Sequence, residues 1–294
     1  MSPVSSMPAD VPTNRSDGSL AGRVALITGA ARGQGRSHAV RLAAEGADIV
    51  LIDACADLET VAYPMPTPRD LADTAALVEA AGRRAVTAVA DVRDLAGLTS
   101  AVDAAVERLG RLDIVVANAG IASYAKGSVM TDDQWTEMID VNLTGVWRTY
   151  RACIGHLQRS GSGGSIIFTS SVAGLRGIAN AAHYGAAKHG LVGLMRVLAL
   201  EHGAERIRVN TIHPTTVDTG MVDNDATREL FLPNPDRPRT QEAFERVAQT
   251  LNVLPVPWIQ PEVVSDLVAF LVSDAGQFIT GAAIPVDAGM TARW

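Results

Sequence analysis

The sequence predicts an α/β fold, a doubly wound parallel sheet of about seven strands flanked by helices. Three observations predict it. Short apolar runs alternate along the chain with amphipathic stretches of helical period. The runs are apolar on both faces, as strands covered by helices on each side must be. The first run, VALIT, leads into the glycine-rich turn TGAARGQG at residues 28–35, the opening of a strand–turn–helix nucleotide unit.

The strands expected are VALIT (24–28), DIVLI (48–52), AVTAV (85–89), DIVVA (113–117), SIIFTS (165–170), IRVNTI (207–212) and AIPVD (283–287). Helical stretches fill the gaps at 33–45, 70–81, 95–109, 132–160, 182–202 and 261–273. Repeated strand–helix alternation gives right-handed crossovers and a Rossmann-type sheet. Two segments break the rhythm. Residues 54–69, ACADLETVAYPMPTPR, insert a proline-containing loop after the second strand. Residues 214–261 carry Pro233, Pro235, Pro238, Pro255, Pro257 and Pro261 and read as an irregular lid.

No internal repeat or domain boundary stands out. The 294 residues therefore read as one domain, 21–294, behind a disordered tail at 1–20 rich in Ser, Pro and Asp. That tail lacks the charged start and apolar centre of a signal peptide. A net charge of −7 without a Lys/Arg cluster argues against nucleic acid as a partner. No apolar run approaches the ~20 residues that span a bilayer, so no membrane partner is expected. Two isolated cysteines, Cys55 and Cys153, suit reduced thiols in a cytoplasmic protein. The histidines lack metal-ligand spacing, and no metal site is expected.

The glycine order is G-x-x-x-G-x-G. Gly29 permits the tight turn, and Gly33 and Gly35 let backbone and helix approach a pyrophosphate at the helix N-terminus. Asp53 ends the second strand, 18 residues after Gly35. A carboxylate there accepts both adenosine ribose hydroxyls and repels a 2′-phosphate, which points to NAD rather than NADP.

Further on, Tyr184 and Lys188 in YGAAK are four apart and share a helix face. Ser171 closes the strand SIIFTS thirteen residues before Tyr184, NAG (118–120) ends the fourth strand, and VNLTG places Asn142 in a helix. With TGAARGQG, Asp91–Val92 and ITGAAIPVDAG, these motifs run in order over nearly the whole chain. The chain resembles the short-chain dehydrogenases/reductases. The resemblance implies hydride transfer between an alcohol carbon and a nicotinamide. Tyr184 would take the hydroxyl proton, Lys188 would favour the phenolate and hold the nicotinamide ribose, Ser171 would orient the substrate oxygen, and Asn142 would support a water linking Lys188 to solvent. The implied cofactor set is Gly29, Arg32, Gly33, Gln34, Gly35, Asp53, Asp91, Val92, Asn118, Gly120, Tyr184, Lys188, Pro214, Val217 and Thr219. Thr215 stands where the family usually has the glycine of a Pro-Gly pair, which leaves that loop's contacts open. A homotetramer is also implied.

Gln34 replaces the aliphatic residue usual in relatives. GAARGQG, the insertion after Asp53 and HPTTVDT together resemble a narrower group, the mycofactocin-associated, carveol dehydrogenase-like enzymes. That resemblance implies NAD that does not exchange freely and reoxidation by mycofactocin, with residues 54–69 folded over the adenosine pocket and Gln34 adding hydrogen bonds near the pyrophosphate or nicotinamide ribose. The apolar lid suggests a small apolar alcohol of terpenoid type. An ordinary dehydrogenase with exchanging NAD and a non-catalytic NAD(H)-binding regulator stay open beside it. His183 and His189, which flank the Tyr–Lys pair, read as packing or solvated residues, and Trp147 and Trp258 as core or interface.

Overall fold

The computed structural model describes residues 18–234, 236 and 238–293. Most of the expected tail, residues 1–17, lies outside them. At its end, Ser19 already donates its backbone N–H and hydroxyl to the Glu45 carboxylate, and Leu20 is fully buried.

Seven parallel strands form one sheet: β1 (Val24–Thr28), β2 (Asp48–Asp53), β3 (Ala85–Val89), β4 (Ile114–Ala117), β5 (Gly164–Thr169), β6 (Ile207–Pro214) and β7 (Ala283–Val286). Their order is β3-β2-β1-β4-β5-β6-β7. All seven expected strands are present, and the direction of winding reverses between β1 and β4. In an open parallel sheet that reversal leaves a crevice beyond the strands' carboxyl ends.

Helices α1 (Gly33–Ala44), α2 (Pro68–Ala80) and α9 (Pro261–Val272) bury Leu42, Leu71, Val264, Val268 and Leu271 against one face. Helices α3 (Leu95–Leu109), α5 (Gly145–Ser160) and α6 (Ala182–His202) bury Leu98, Val102, Tyr150, Leu157, Leu191 and Met195 against the other. Helix α2 starts two residues earlier than the expected 70. Thr67 and Asp70 form a reciprocal capping box and Pro68 occupies the first turn, so the start is fixed by its cap rather than by apolar period.

The stretch 132–160 is not one regular helix. Helix α4 (Asp132–Ile139) passes through a π turn at Asp140–Thr144 into α5. The extra residue of a π turn barely disturbs an apolar pattern, and such turns cluster at functional sites. The expected irregular lid also holds two helices, α7 (Asp225–Phe231) and α8 (Gln241–Leu251). Asn224 and Thr240 cap them, while Pro233 and Pro238 fall between them and Pro255 and Pro257 after them. The lid is held by an aromatic cluster, with Phe244 edge-to-face with Phe231 at 5.1 Å and tilted against Trp258 at 5.8 Å between ring centroids. Among the described residues no helix is long and apolar enough to cross a membrane.

Candidate active site

Two adjoining pockets open at the carboxyl ends of the strands. Gly29, Arg32, Gly33, Gln34, Asp53, Asp91, Val92, Asn118, Gly120, Lys188, Tyr184 and Thr219 line the first. Ser171, Pro214 and Val217 line the second, and Gln34, Tyr184 and Thr219 belong to both. Pro214 and Val217 thus face the second pocket rather than the one holding the other expected cofactor residues. Gly35 and Asn142 line neither.

Gly35 acts through packing. A β-carbon there would lie 2.0 Å from the Gly29 carbonyl oxygen, and one on Gly29, itself at φ +67°, would lie 2.8 Å from the Ala119 α-carbon. Backbone cannot yield as a side-chain tip can. Gly35→Ala is therefore expected to cost about 3 kcal/mol or more of stability, by the mechanism of overpacking against fixed atoms, as read from chemical denaturation. The turn is also tied from outside. Arg36 donates to the Ala31 carbonyl at 2.7 Å and to Thr74 Oγ1 at 2.9 Å.

The residues fit a dinucleotide. The first turn of α1 carries no acidic side chain and no capping side chain, so its N–H groups and positive dipole end stay available to a pyrophosphate. Asp53 is 7 % exposed and accepts Ala31 N–H on Oδ2 at 3.0 Å and Cys55 N–H on Oδ1 at 3.1 Å. Each carboxylate oxygen keeps acceptor capacity toward the pocket. Gln34 Oε1 is buried without a hydrogen-bond partner. An unmatched buried acceptor costs about 1–3 kcal/mol, a cost that a donor on a bound molecule removes.

Asn118 staples three strand ends. Its N–H donates to Thr28 Oγ1, its side-chain amide donates to the Thr28 carbonyl at 3.1 Å, and it accepts from Thr169 Oγ1 at 3.3 Å. Asp91 forms an ion pair with Arg93 at 2.7 Å, and Val92 is buried beside it. Thr219 sits over the turn, its Cγ2 3.3 Å from where a Gly33 β-carbon would stand.

Tyr184 and Lys188 lie one turn apart on α6. Lys188 is 3 % exposed, with Nζ donating to the Thr169 carbonyl at 2.8 Å and lying 5.5 Å from the Tyr184 ring centre. Burial draws its pKa down to about 7 and pushes the Tyr184 phenol up, while the hydroxyl of Ser171 pulls the phenol the other way. Strand β5 stops at Thr169, so Ser171 does not end a strand. It caps a short 3-10 turn, accepting Ala173 N–H at 3.1 Å. Asn142 is fully buried in the π turn, and its amide pairs with the Ile121 backbone in both directions, at 2.9 and 2.8 Å. A side chain on Gly120 would come within 2.8 Å of Asn142 Oδ1 and 3.5 Å of Lys188 Nζ. Asn142 thus shapes the wall next to Lys188 by holding backbone.

Several contacts at the site join residues that no motif pairs. Tyr63, in the insertion, is 7 % exposed, lines the first pocket and accepts Ala122 N–H at 3.1 Å. Burial raises its phenol to about 12. Arg32 donates to the Pro64 carbonyl at 2.6 Å, and Leu58, Val61 and Met65 pack on Val92, Ile121 and Val141. His213 is fully buried, with Nδ1 donating to the Ser171 carbonyl at 2.7 Å and Nε2 accepting from Thr211 at 2.8 Å. His183 is buried against Ser123, and His189 is exposed and bonded to the Gly185 carbonyl. Trp258 belongs to the lid's aromatic cluster, while Met221 and Phe231 line the second pocket.

The chain matches the short chain dehydrogenase family over residues 23–230. It is 54 % identical over 273 residues to the (-)-trans-carveol dehydrogenase of Rhodococcus erythropolis, covering 92 % of this chain and 98 % of that protein. Carveol dehydrogenase from Mycobacterium avium, solved in complex with NAD, superposes with a TM-score of 0.92 at 53 % identity, covering 94 % of this chain and all of the other. A short chain dehydrogenase from Mycobacterium paratuberculosis bound to NAD superposes with a TM-score of 0.86 at 44 % identity over 94 % and 100 % of the two chains.

Proposed function

The chain belongs to the short-chain dehydrogenase family, and we propose that it transfers a hydride between a secondary alcohol, or its ketone, and NAD. The observation that carries this reading is Tyr184 in the wall shared by the two pockets, with Lys188 buried beside it and Ser171 in the second pocket. A carveol-like terpenoid alcohol is the first substrate to try, given the relatives and an apolar second pocket that includes Val172, Ile178, Leu230, Phe231 and Leu251.

Bound NAD supplies the hydride acceptor or donor. Asp53 holds the adenosine ribose and disfavours a 2′-phosphate. Ser171 orients the substrate oxygen, and Tyr184 removes or returns its proton. Burial alone keeps the phenol protonated, so a phenolate needs positive charge nearby, which Lys188 supplies in its ammonium form. His213 fixes the Ser171 carbonyl and Asn142 fixes residue 121, so both act by positioning.

The finer reading is that NAD stays bound through turnover and is reoxidised in place by mycofactocin. Its support is the insertion, a strap tied to the glycine turn through Arg32 and to the NAG segment through Tyr63. After exhaustive dialysis the denatured protein is expected to release close to one NAD(H) per chain, and deletion of residues 57–64 to lower that content severalfold. Wild-type protein that dialyses empty would instead favour an ordinary dehydrogenase with exchanging NAD. Turnover of alicyclic alcohols, with added NAD in one series and an artificial electron acceptor in another, tests the chemistry. The family resemblance suggests a homotetramer, in which subunit contact would cover exposed apolar side chains such as Leu200 and Phe278, 86 % and 80 % accessible.

A further inference from the structure

The second pocket is lined by one charged side chain, Arg176, and by no carboxylate. Its remaining walls are aliphatic, aromatic or neutral polar. The guanidinium donates from Nη1 to the Met290 carbonyl at 3.0 Å, and no described acid lies in ion-pair contact with it. The acid closest in sequence to Met290, Asp287, is taken up by Gly289 N–H and by the N–H and hydroxyl of Thr291. Arg176 therefore brings an uncompensated positive charge to a largely apolar wall, with most of its planar fork of N–H donors unspent.

We infer that the second pocket takes a cyclic alcohol or ketone that also carries a carboxylate, and that Arg176 is the residue that recognises it. The inference rests on the hydride-transfer reading above and replaces the neutral terpenoid as its first substrate with a carboxylated ring. A guanidinium binds both oxygens of a carboxylate through two parallel N–H bonds, and such charge-assisted pairs are about twice as strong as neutral ones. Low-polarity walls make an unmatched cation a stronger attractor than the same charge on open surface. The bond to Met290 already orders the guanidinium, which lowers the entropy lost on binding. Arg176 also belongs to the turn that begins at Ser171, its N–H bonded to the Val172 carbonyl at 3.0 Å. The group that orients the reacting oxygen and the group that reads the carboxylate thus sit on one short segment, so a rigid ring can be held at both ends. A neutral terpenoid would leave the fork to solvent.

The test measures binding apart from turnover. Cyclohexanecarboxylate and its methyl ester, neither of which has a carbinol to oxidise, are titrated calorimetrically into the NAD-loaded enzyme. The acid is expected to bind at least about tenfold tighter than the ester, as one added charge-assisted contact implies. Arg176→Leu should bring that ratio close to one, and Arg176→Lys should keep part of it. The ratio is internal to each variant, so a general loss of folding does not imitate the result. The same preference should appear in kcat/KM for 4-hydroxycyclohexanecarboxylate over its methyl ester. Equal binding of acid and ester by the wild type, or a ratio that survives Arg176→Leu, overturns the inference. Selective acid binding without oxidation of any alcohol would leave it standing and overturn the hydride-transfer reading instead.

Discussion

Lys188→Met is expected to stabilise the nucleotide-free protein at neutral pH while lowering turnover by at least about 100-fold, the scale of a lost proton-transfer partner. Lys188 is almost wholly enclosed and has no carboxylate partner among its described contacts. Its one fixed hydrogen bond goes to the Thr169 carbonyl. Burial takes its pKa from 10.5 to about 7. That difference is about 5 kcal/mol against the ionised form at 1.36 kcal/mol per pKa unit. The pH dependence follows from the direction. Above about 10.5 the amine is neutral in both states and carries no ionisation penalty. Between about 10.5 and 7 the unfolded chain binds a proton that the folded chain does not, so stability falls as pH falls. Below about 7 both states are protonated and the full penalty applies. Methionine has no such penalty but gives up the bond to Thr169, worth about 1–2 kcal/mol. A net gain of about 3–4 kcal/mol is therefore expected at pH 7 and below, shrinking to nothing or reversing by pH 10.5. Urea titrations of both proteins across that range check it. A constant difference across pH would mean that Lys188 is not held neutral by burial. A loss of stability at pH 7 would mean that its packing and hydrogen bond outweigh its desolvation.

Such a lysine is readable in the sequence as a position, not as a cost. The spacing of Tyr184 and Lys188 puts both on one face of α6, and the apolar strands that end at Thr28 and Asp53 announce the crevice where they work. Those features are local, and so they were legible. The features that escaped are the ones whose partner is far away in the chain. Tyr63 meets Ala122 across 59 residues and His213 meets Ser171 across 42, and neither partner can be read from the residues beside it. The π turn around Asn142 escaped because an extra residue in a helical turn leaves the spacing of apolar positions almost intact. Helices α7 and α8 are masked in the sequence by the six prolines around them, while the burial of Phe244 that stabilises α8 depends on Phe231 and Trp258 folding onto it. Gln34 was legible as an oddity. Its unmatched buried oxygen, which makes the oddity meaningful, needs coordinates.

Tyr184→Phe is expected to lower alcohol turnover by about 100- to 10,000-fold, the range for removal of a positioned acid–base group, while leaving the NAD(H) content of the purified protein unchanged. The substitution deletes one oxygen and keeps the ring that forms part of both pockets. The phenol is pushed up by burial rather than anchored by an ion pair. Its loss should therefore shift stability by no more than about 1 kcal/mol, the net worth of an ordinary hydrogen bond. This separation gives the experiment its force. An enzyme whose proton passes through this oxygen loses the reaction and keeps the cofactor, whereas a protein that only senses NAD(H) loses nothing. Single-turnover reduction of bound NAD by a secondary alcohol, followed by absorbance at the reduced nicotinamide band, reads the chemical step without waiting for reoxidation by any acceptor. Unimpaired reduction in Tyr184→Phe would remove Tyr184 from the proton path. Ser171 would then be the remaining hydroxyl among the candidate acid–base groups. Loss of bound NAD together with activity would instead assign the tyrosine to holding the nicotinamide end of the cofactor, and the proton path would have to be sought at Lys188.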